Sequence, residues 1–251
     1  MNELALFAGA GGGLLATTHL LKWNTVCYVE WDDYCIDVLK ARIKDGYLHD
    51  APIWDDVQTF DGHPWAGCVD IITAGFPCQP FSTAGKRNGS NDERNMWPAT
   101  IRIIREVRPA WVLLENVPGL LSAMDDTAAL PHSYAGTVLG DLAESGYDAR
   151  WRVLSAAEVG APHLRDRVFV VAHATKERLH HHRPATNPRK AESFIWKSYR
   201  VHDSRVWLEA HGATDRDYDG MARRVDRLKA IGNGQVPSVV STVWRLLTEA
   251  D

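Results

Sequence analysis

The stretch Leu4-Ala5-Leu6-Phe7-Ala8-Gly9-Ala10-Gly11-Gly12-Gly13-Leu14-Leu15-Ala16 stands almost at the start of the chain. Its first five residues are a short apolar run of the kind that forms a buried strand. The glycines end that run, and the apolar residues resume at Leu14 with the look of a helix. A glycine-rich turn between a first strand and a first helix lets a ligand approach the backbone closely. A tight turn without a ligand has the same composition, so the stretch sets a topology before it sets a function.

Working outward, the same alternation recurs. Val26-Cys27-Tyr28-Val29-Glu30 reads as a second strand, and Asp32 or Asp33 caps a helix with Ile36, Leu39 and Ile43 on one face. Val69 to Ala74 is a further strand. Ile101, Ile104 and Val107 suit a helix stopped before Pro109, and Trp111 to Glu115 a strand ending at Asn116. Val138, Leu139 and Leu142 mark a helix ended at Gly146, and Arg167 to Ala172 a late strand. Pro237 opens a last helix carrying Val240, Val243 and Leu247. This order predicts an α/β fold: a mostly parallel sheet with helices on both faces, and sites at the carboxyl ends of the strands.

The chain has 251 residues, enough for one domain with a small second lobe. Its 28 Lys and Arg against 32 Asp and Glu exclude a uniformly basic nucleic-acid binder. The total hides a split. Residues 1–173 carry 14 basic and 22 acidic side chains, whereas residues 174–251 carry 14 and 10. The basic excess centres on 176–205, where Trp196 and Tyr199 are interleaved with the cations. Three regions follow: an α/β domain over 1–174, a small basic lobe over 175–225, and a segment over 226–251 that returns to the first domain. Four cysteines with no zinc spacing, no basic leader and no long apolar run point to a reduced, cytoplasmic, membrane-free protein. Cys27, Cys35 and Cys68 read as small buried hydrophobes. The triple His180-His181-His182 reads as a solvated or phosphate-facing cluster, and no metal is expected there.

Chemistry concentrates at the expected strand ends. Glu30 closes the second strand, where an acid suits a ribose hydroxyl pair, and Trp31 beside it suits stacking on adenine. With the glycine turn these imply an adenosine-containing cofactor, without separating a dinucleotide from S-adenosylmethionine. Cys78 sits between two prolines in Gly75-Phe76-Pro77-Cys78-Gln79-Pro80-Phe81-Ser82. It follows a strand, where nearby cations would make its thiolate a nucleophile. Glu115 in Glu115-Asn116-Val117 is a candidate proton donor. Arg165 and Arg167, abutting the late strand, are placed to stabilise an anion.

These motifs, in this order and closed by Gly232-Asn233-Gly234, resemble the DNA (cytosine-5) methyltransferase family from Leu6 to Pro237. The resemblance implies a Rossmann-like, S-adenosylmethionine-dependent methyltransferase sheet, with 1–174 as catalytic and cofactor-binding domain, 175–225 as a small target-recognition lobe, and double-stranded DNA as partner. It implies attack of the Cys78 thiolate on C6 of a flipped cytosine, methyl transfer to C5, and then loss of the C5 proton and of Cys78. Glu115 would contact N3 and the exocyclic amine, Arg167 the cytosine O2, and Arg165 the loop or the anionic intermediate. For the cofactor it implies Phe7, Gly9, Gly11, Glu30, Trp31, Asp56, Pro77, Asn233 and Val236. For DNA it implies Ser82, Lys86 and Arg87 on the loop after Cys78. In the variable lobe, Arg178, Arg183, Arg189, Lys190, Lys197 and Arg200 are the expected phosphate contacts.

His163 stands where the family often has Gln two before the first motif arginine. The small lobe predicts a short recognition site, and the compact chain, read as a monomer, leans toward a phage or prophage enzyme. Three other readings compete: a tRNA cytosine-5 methyltransferase, whose Cys-Phe-Thr signature is missing; a catalytically silent DNA-binding module; and a nicotinamide-dependent oxidoreductase, whose Gly-x-Gly-x-x-Gly spacing is missing.

Overall fold

The computed structural model of the protein describes residues 1–77, 95–125, 132–175 and 224–249. The elements run β1 (Asn2–Leu6), α1 (Gly12–Leu15), β2 (Asn24–Val29), α2 (Asp33–Lys44), β3 (Ile53–Trp54), β4 (Ile71–Ala74), α3 (Trp97–Val107) and β5 (Trp111–Asn116). They continue with α4 (Gly119–Ser122), β6 (Met124–Asp125), β7 (His132–Ser133), α5 (Tyr134–Glu144), β8 (Tyr147–Ser155), β9 (Asp166–Ala174), α6 (Arg224–Asn233) and α7 (Pro237–Thr248). Seven strands form one sheet in the order β3-β2-β1-β4-β5-β9-β8, while β6 and β7 pair separately.

Strands β1 to β5 are parallel, which puts their carboxyl ends on one edge. The chain moves outward from β1 to β2 and β3, then crosses back to place β4 on the other side of β1. This crossing is the switch point at which open α/β sheets form their cleft. β9 departs from the expected parallel order by running antiparallel between β5 and β8. The amino end of β9 therefore lies at the same edge as the carboxyl ends of its neighbours. Arg165 and Arg167 reach that edge from the start of a strand, not from its end.

Strand alternation sends Leu4, Leu6, Cys27, Val29, Ile72 and Leu114 to one face, where α3 and α5 cover them. Trp97 Nε1 donates to Asp141 Oδ2 at 2.7 Å and ties these two helices together. The opposite face carries Ile71, Leu113, Phe169 and Val171 under Val239, Val240 and Val243 of α7. There Trp244 meets Trp23 and Trp111 edge-on, at centroid distances of 4.8 and 5.1 Å. On the same side Ala5 and Tyr28 pack under Leu14 and Leu39.

The expected helices form where the periodicity placed them. Asp32 caps α2 by accepting from Cys35 N, and Arg108 ends α3 in a left-handed conformation just before Pro109. Two sequence expectations fail. β8 lay in a stretch without any strand assignment. It is an edge strand whose apolar residues only alternate (Tyr147, Ala149, Trp151, Val153 against Asp148, Arg150, Arg152), so it carries no continuous apolar run. Cys68 is exposed, in contrast to the buried Cys27 and Cys35, because it ends a surface turn in which its N–H donates to Trp65 O.

One carboxyl lies wholly inside the described fold. Glu3 on β1 is fully buried and accepts from Thr73 Oγ1 at 2.7 Å, Thr17 Oγ1 at 2.7 Å and Thr25 Oγ1 at 2.9 Å. Pairing explains the cluster: Glu3 lies opposite Thr25, and Thr73 lies opposite Ala5, so all three strand residues share a face. Burial raises the Glu3 carboxyl above its ordinary value, against the pull of the three hydroxyls and the chain's amino terminus. A carboxyl raised on folding stabilises most below its ordinary pKa, and the benefit is lost as pH rises through the raised value. Glu3→Gln should therefore gain stability relative to the natural chain as pH is raised from 4 into that window, as read by denaturant unfolding at a series of pH values. Parallel pH profiles for the two would contradict this. Glu3→Ala, which removes the acceptor shared by three hydroxyls and leaves Thr17 only Leu14 O, should cost about 2–4 kcal/mol.

Candidate active site

The expected site residues arrive at the sheet edge from six connections. After β1 the chain turns through Phe7 and Gly9, with φ of 54° and 55°, to Gly11, with φ of 89°. At Gly11 a left-handed backbone is required of the residue that precedes α1, and only glycine takes it without strain. This turn is fixed by Glu30 at the end of β2. Glu30 Oε2 accepts from Gly9 N at 2.6 Å, while Oε1 accepts from Asp32 N at 2.9 Å and Trp31 N at 3.1 Å. Burial raises the Glu30 carboxyl although these three N–H groups pull it down. A carboxylate offers about four acceptor positions, so these three donors leave Glu30 room for about one more.

Trp31 projects from the same strand end with 76% of its surface exposed. An indole so exposed beside a buried acid and an open glycine turn fits the ribose and base of an adenosine group. Asp56, just past β3, accepts from Gln58 N at 2.8 Å and caps a local turn. Pro77 follows β4 and is half-buried.

The other half of the site lies across β4, β5 and β9. Glu115 pairs with Phe169, so Arg167, two residues before Phe169, is on the same face as Glu115. Arg167 Nε lies 2.9 Å from Glu115 Oε1. Burial pushes the Glu115 carboxyl up; Arg167, the Gln235 amide and Arg165 pull it back, and burial prevails. Glu115 thus holds a proton to higher pH than an exposed glutamate does. The adjacent Asn116 points to the opposite face, where its Nδ2 donates to Phe76 O at 3.0 Å. That bond clasps the end of β5 to the strand end leading into Cys78.

Among the described residues Arg165 makes no such ion pair. Its Nη2 donates to Gly232 O at 2.6 Å and to Gly234 O at 2.8 Å, locking the turn between α6 and α7 against the β8–β9 connection. Burial and the charge of Arg167 lower its pKa, while Glu115 opposes that shift. The connection itself is shaped by a capping box in which Ser155 N donates to Glu158 and Ala157 N to Ser155. On the far side Lys229 of α6 meets Asp32 at 2.7 Å.

The structure therefore brings Glu115, Arg165 and Arg167 together, and gathers Phe7, Gly9, Gly11, Glu30 and Trp31 around the glycine turn. Asn233 lines the cleft with Gly234 and Gln235. Val236 packs into the core under α7. Cys78, Ser82, Lys86, Arg87, Arg178, Arg183, Arg189, Lys190, Lys197 and Arg200 lie outside the described residues. Sequence reasoning passed over Gln235, and over the Asn116 clasp. The available signals were a glutamine inside the Gly-Asn-Gly-Gln-Val-Pro turn and an amide next to a site carboxylate.

Sheet order and cleft together define the Rossmann-like methyltransferase fold. The solved structure of Spodoptera frugiperda DNMT2 superposes with a TM-score of 0.55 at 23% identity, covering 76% of this chain and 53% of that one. Schizosaccharomyces pombe Dnmt2 gives 0.54 at 19%, covering 76% and 58%. The chain belongs to the C-5 cytosine-specific DNA methylase family, whose sequence profile matches residues 1–244. It is 34% identical over 171 residues to Type II methyltransferase M.NgoMIV of Neisseria gonorrhoeae, covering 68% of this chain and 51% of that protein. To Type II methyltransferase M.AquIA of Picosynechococcus it is 31% identical over 199 residues, covering 74% and 77%. The chain spans about half the length of most of these curated relatives.

Arg165→Ala should release the Gly232–Gly234 turn. Losing charge-assisted bonds to two carbonyls should cost about 2 kcal/mol, or roughly 4–8 °C in the unfolding midpoint of a chain this size. Arg165→Lys, a point charge without the planar fork, should fall between. Thermal unfolding decides, and an unchanged midpoint in Arg165→Ala would show that the turn is held by other contacts.

Proposed function

We propose that the protein is a DNA (cytosine-5) methyltransferase acting on a cytosine flipped out of a short duplex site. The observation that carries this reading is the buried Glu115, charge-paired with Arg167 at 2.9 Å and clasped through Asn116 to the strand end that runs into Cys78. C5 of cytosine is a weak nucleophile. It becomes an enamine carbon only after a nucleophile has added to C6. As the Cys78 sulfur bonds to C6, the ring's electrons move toward N3, and a proton there keeps them from building up as charge. Glu115, which holds its proton to raised pH, is suited to give that proton and to accept the exocyclic amine. Arg167 fixes the carboxyl and offers its remaining N–H groups to the base oxygen. Once C5 carries the methyl group, its proton passes to water, the C6–S bond breaks to release the Cys78 thiolate, and the N3 proton returns to Glu115, which restores the ring.

Glu30, Trp31 and the Gly9–Gly11 turn would hold S-adenosylmethionine. When bound there, it supplies the electrophilic methyl group. Glu30 accepts a ribose hydroxyl, Trp31 stacks on the base, and Asp56 and Pro77 border the same edge. Base flipping is required because the stack blocks both faces of C6. Ser82, Lys86 and Arg87 would then close over the base. Duplex contacts belong to the 175–225 lobe through Arg178, Arg183, Arg189, Lys190, Lys197 and Arg200. A lobe of this size has room to read roughly two to four base pairs.

The test is transfer of labelled methyl from S-adenosylmethionine to duplex DNA, with tRNA in parallel. DNA should be labelled and tRNA not. Cys78→Ser should abolish turnover while cofactor binding persists, and DNA carrying 5-fluorocytosine should trap an adduct at Cys78. Labelling of tRNA alone, or full activity in Cys78→Ser, would overturn the proposal.

A further inference from the structure

Gln235 occupies the tightest place in the site. A Cβ added at Gly13 would collide with Gln235 Oε1 and stand 3.2 Å from its Cδ. One at Gly75 would come within 2.9 Å of Gln235 Nε2 and 3.2 Å of Glu115 Oε2. One at Gly12 would lie 2.7 Å from the backbone oxygen of Gln235. None of these three glycines has positive φ. Backbone conformation therefore does not require glycine at any of them, and in α1 an alanine would be the better helix former. What they share is Gln235. They form a slot through which its side chain passes from the α6–α7 turn to the carboxyl at the end of β5. There Nε2 faces Glu115 Oε2 at 3.4 Å, opposite the oxygen held by Arg167. The turn that delivers Gln235 is itself locked by Arg165.

We infer that Gln235 is a positioning residue that fixes the second oxygen of Glu115 and couples that carboxyl to the glycine turn on the cofactor side. Its consequence for catalysis rests on the methyltransferase reading above; the geometric coupling does not. Arg167 and Gln235 hold the two Glu115 oxygens from opposite sides, so the carboxyl plane cannot rotate without breaking one contact. Seating of Gly12 and Gly13 against Gln235 then transmits the position of the turn to the acid.

Two measurements test the coupling whether or not the protein methylates DNA. In thermal unfolding, Gly13→Ala should lower the midpoint, and adding Gln235→Ala should recover most of the loss, since the side chain in the way has gone. Gly12→Ala should not be relieved by Gln235→Ala, because its obstacle is backbone. Additive effects in the Gly13 pair, or equal relief of both glycine variants, would overturn the slot. The second measurement is carbon-13 NMR of Glu115 in Gln235→Met, which keeps the volume but removes the donor. The carboxyl should then ionise at higher pH, because an N–H donor favours the charged form. An unmoved titration would overturn the positioning role. If methyl transfer is found, Gln235→Met should lower kcat about tenfold with cofactor Kd and the KM for DNA little changed. A change in KM or Kd alone would make Gln235 a binding-pocket residue and overturn its role on Glu115. Absence of methyl transfer by the natural chain would count against the proposed function, and the first two readouts would still decide the coupling.

Discussion

Glu115 reaches Arg167 because β9 runs against β5. In an all-parallel sheet the residue before a strand lies at the amino edge, a full strand length from the cleft. Reversing β9 brings its start to the edge where β1, β2, β4 and β5 end. Antiparallel pairing then puts Arg167 diagonally opposite Glu115 on one face, within reach of a long side chain. Arg165, two residues earlier, lies past the start of the strand and reaches the Gly232–Gly234 turn instead. The two arginines of one short motif thus do different work. Arg167 compensates a buried acid, and Arg165 anchors backbone.

That division organises the rest of the site. A buried carboxyl with no cation nearby would simply stay neutral. Burial raises the Glu115 carboxyl, and the Arg167 charge opposes part of that rise. Glu30 meets the same problem differently, with three backbone N–H donors and, among the described residues, no cation paired to it, and in return it fixes the glycine turn. Two acids at one sheet edge are therefore tuned by different partners, Glu30 by backbone N–H groups and Glu115 by an arginine. Asn116 keeps the two halves in register by holding the end of β4.

Much of this was legible in the residues. Strand–turn–helix alternation identified β1, β2, β4, β5, α2, α3, α5 and α7, because each has either a continuous apolar run or a clear helical stripe. β8 was not legible by the same rule: an edge strand with one wet face alternates, and its Trp151 is half exposed. Cys68 misled because a lone cysteine is usually buried, whereas this one sits in a turn tied to the first strand through Asn2. The direction of β9 could not be read from Arg165-Asp166-Arg167, since strand polarity is a tertiary fact. Gln235 escaped because a glutamine in a turn has no chemistry of its own until the glycines opposite it are seen to leave room.

The charge balance also changes meaning. Residues 1–173 carry 22 acidic side chains, and counting all of them as ionised makes this part look hostile to a polyanion. Three of them, Glu3, Glu30 and Glu115, are buried, and burial raises each carboxyl. Glu115 also has its charge offset by Arg167. The acids at this edge, Glu30 and Glu115, therefore lie inside the fold instead of on its surface, and Arg165 and Arg167 stand beside Glu115. For a DNA substrate this matters more than the net charge of the whole chain, because phosphates are screened beyond about 8 Å at physiological ionic strength and sense only the local field.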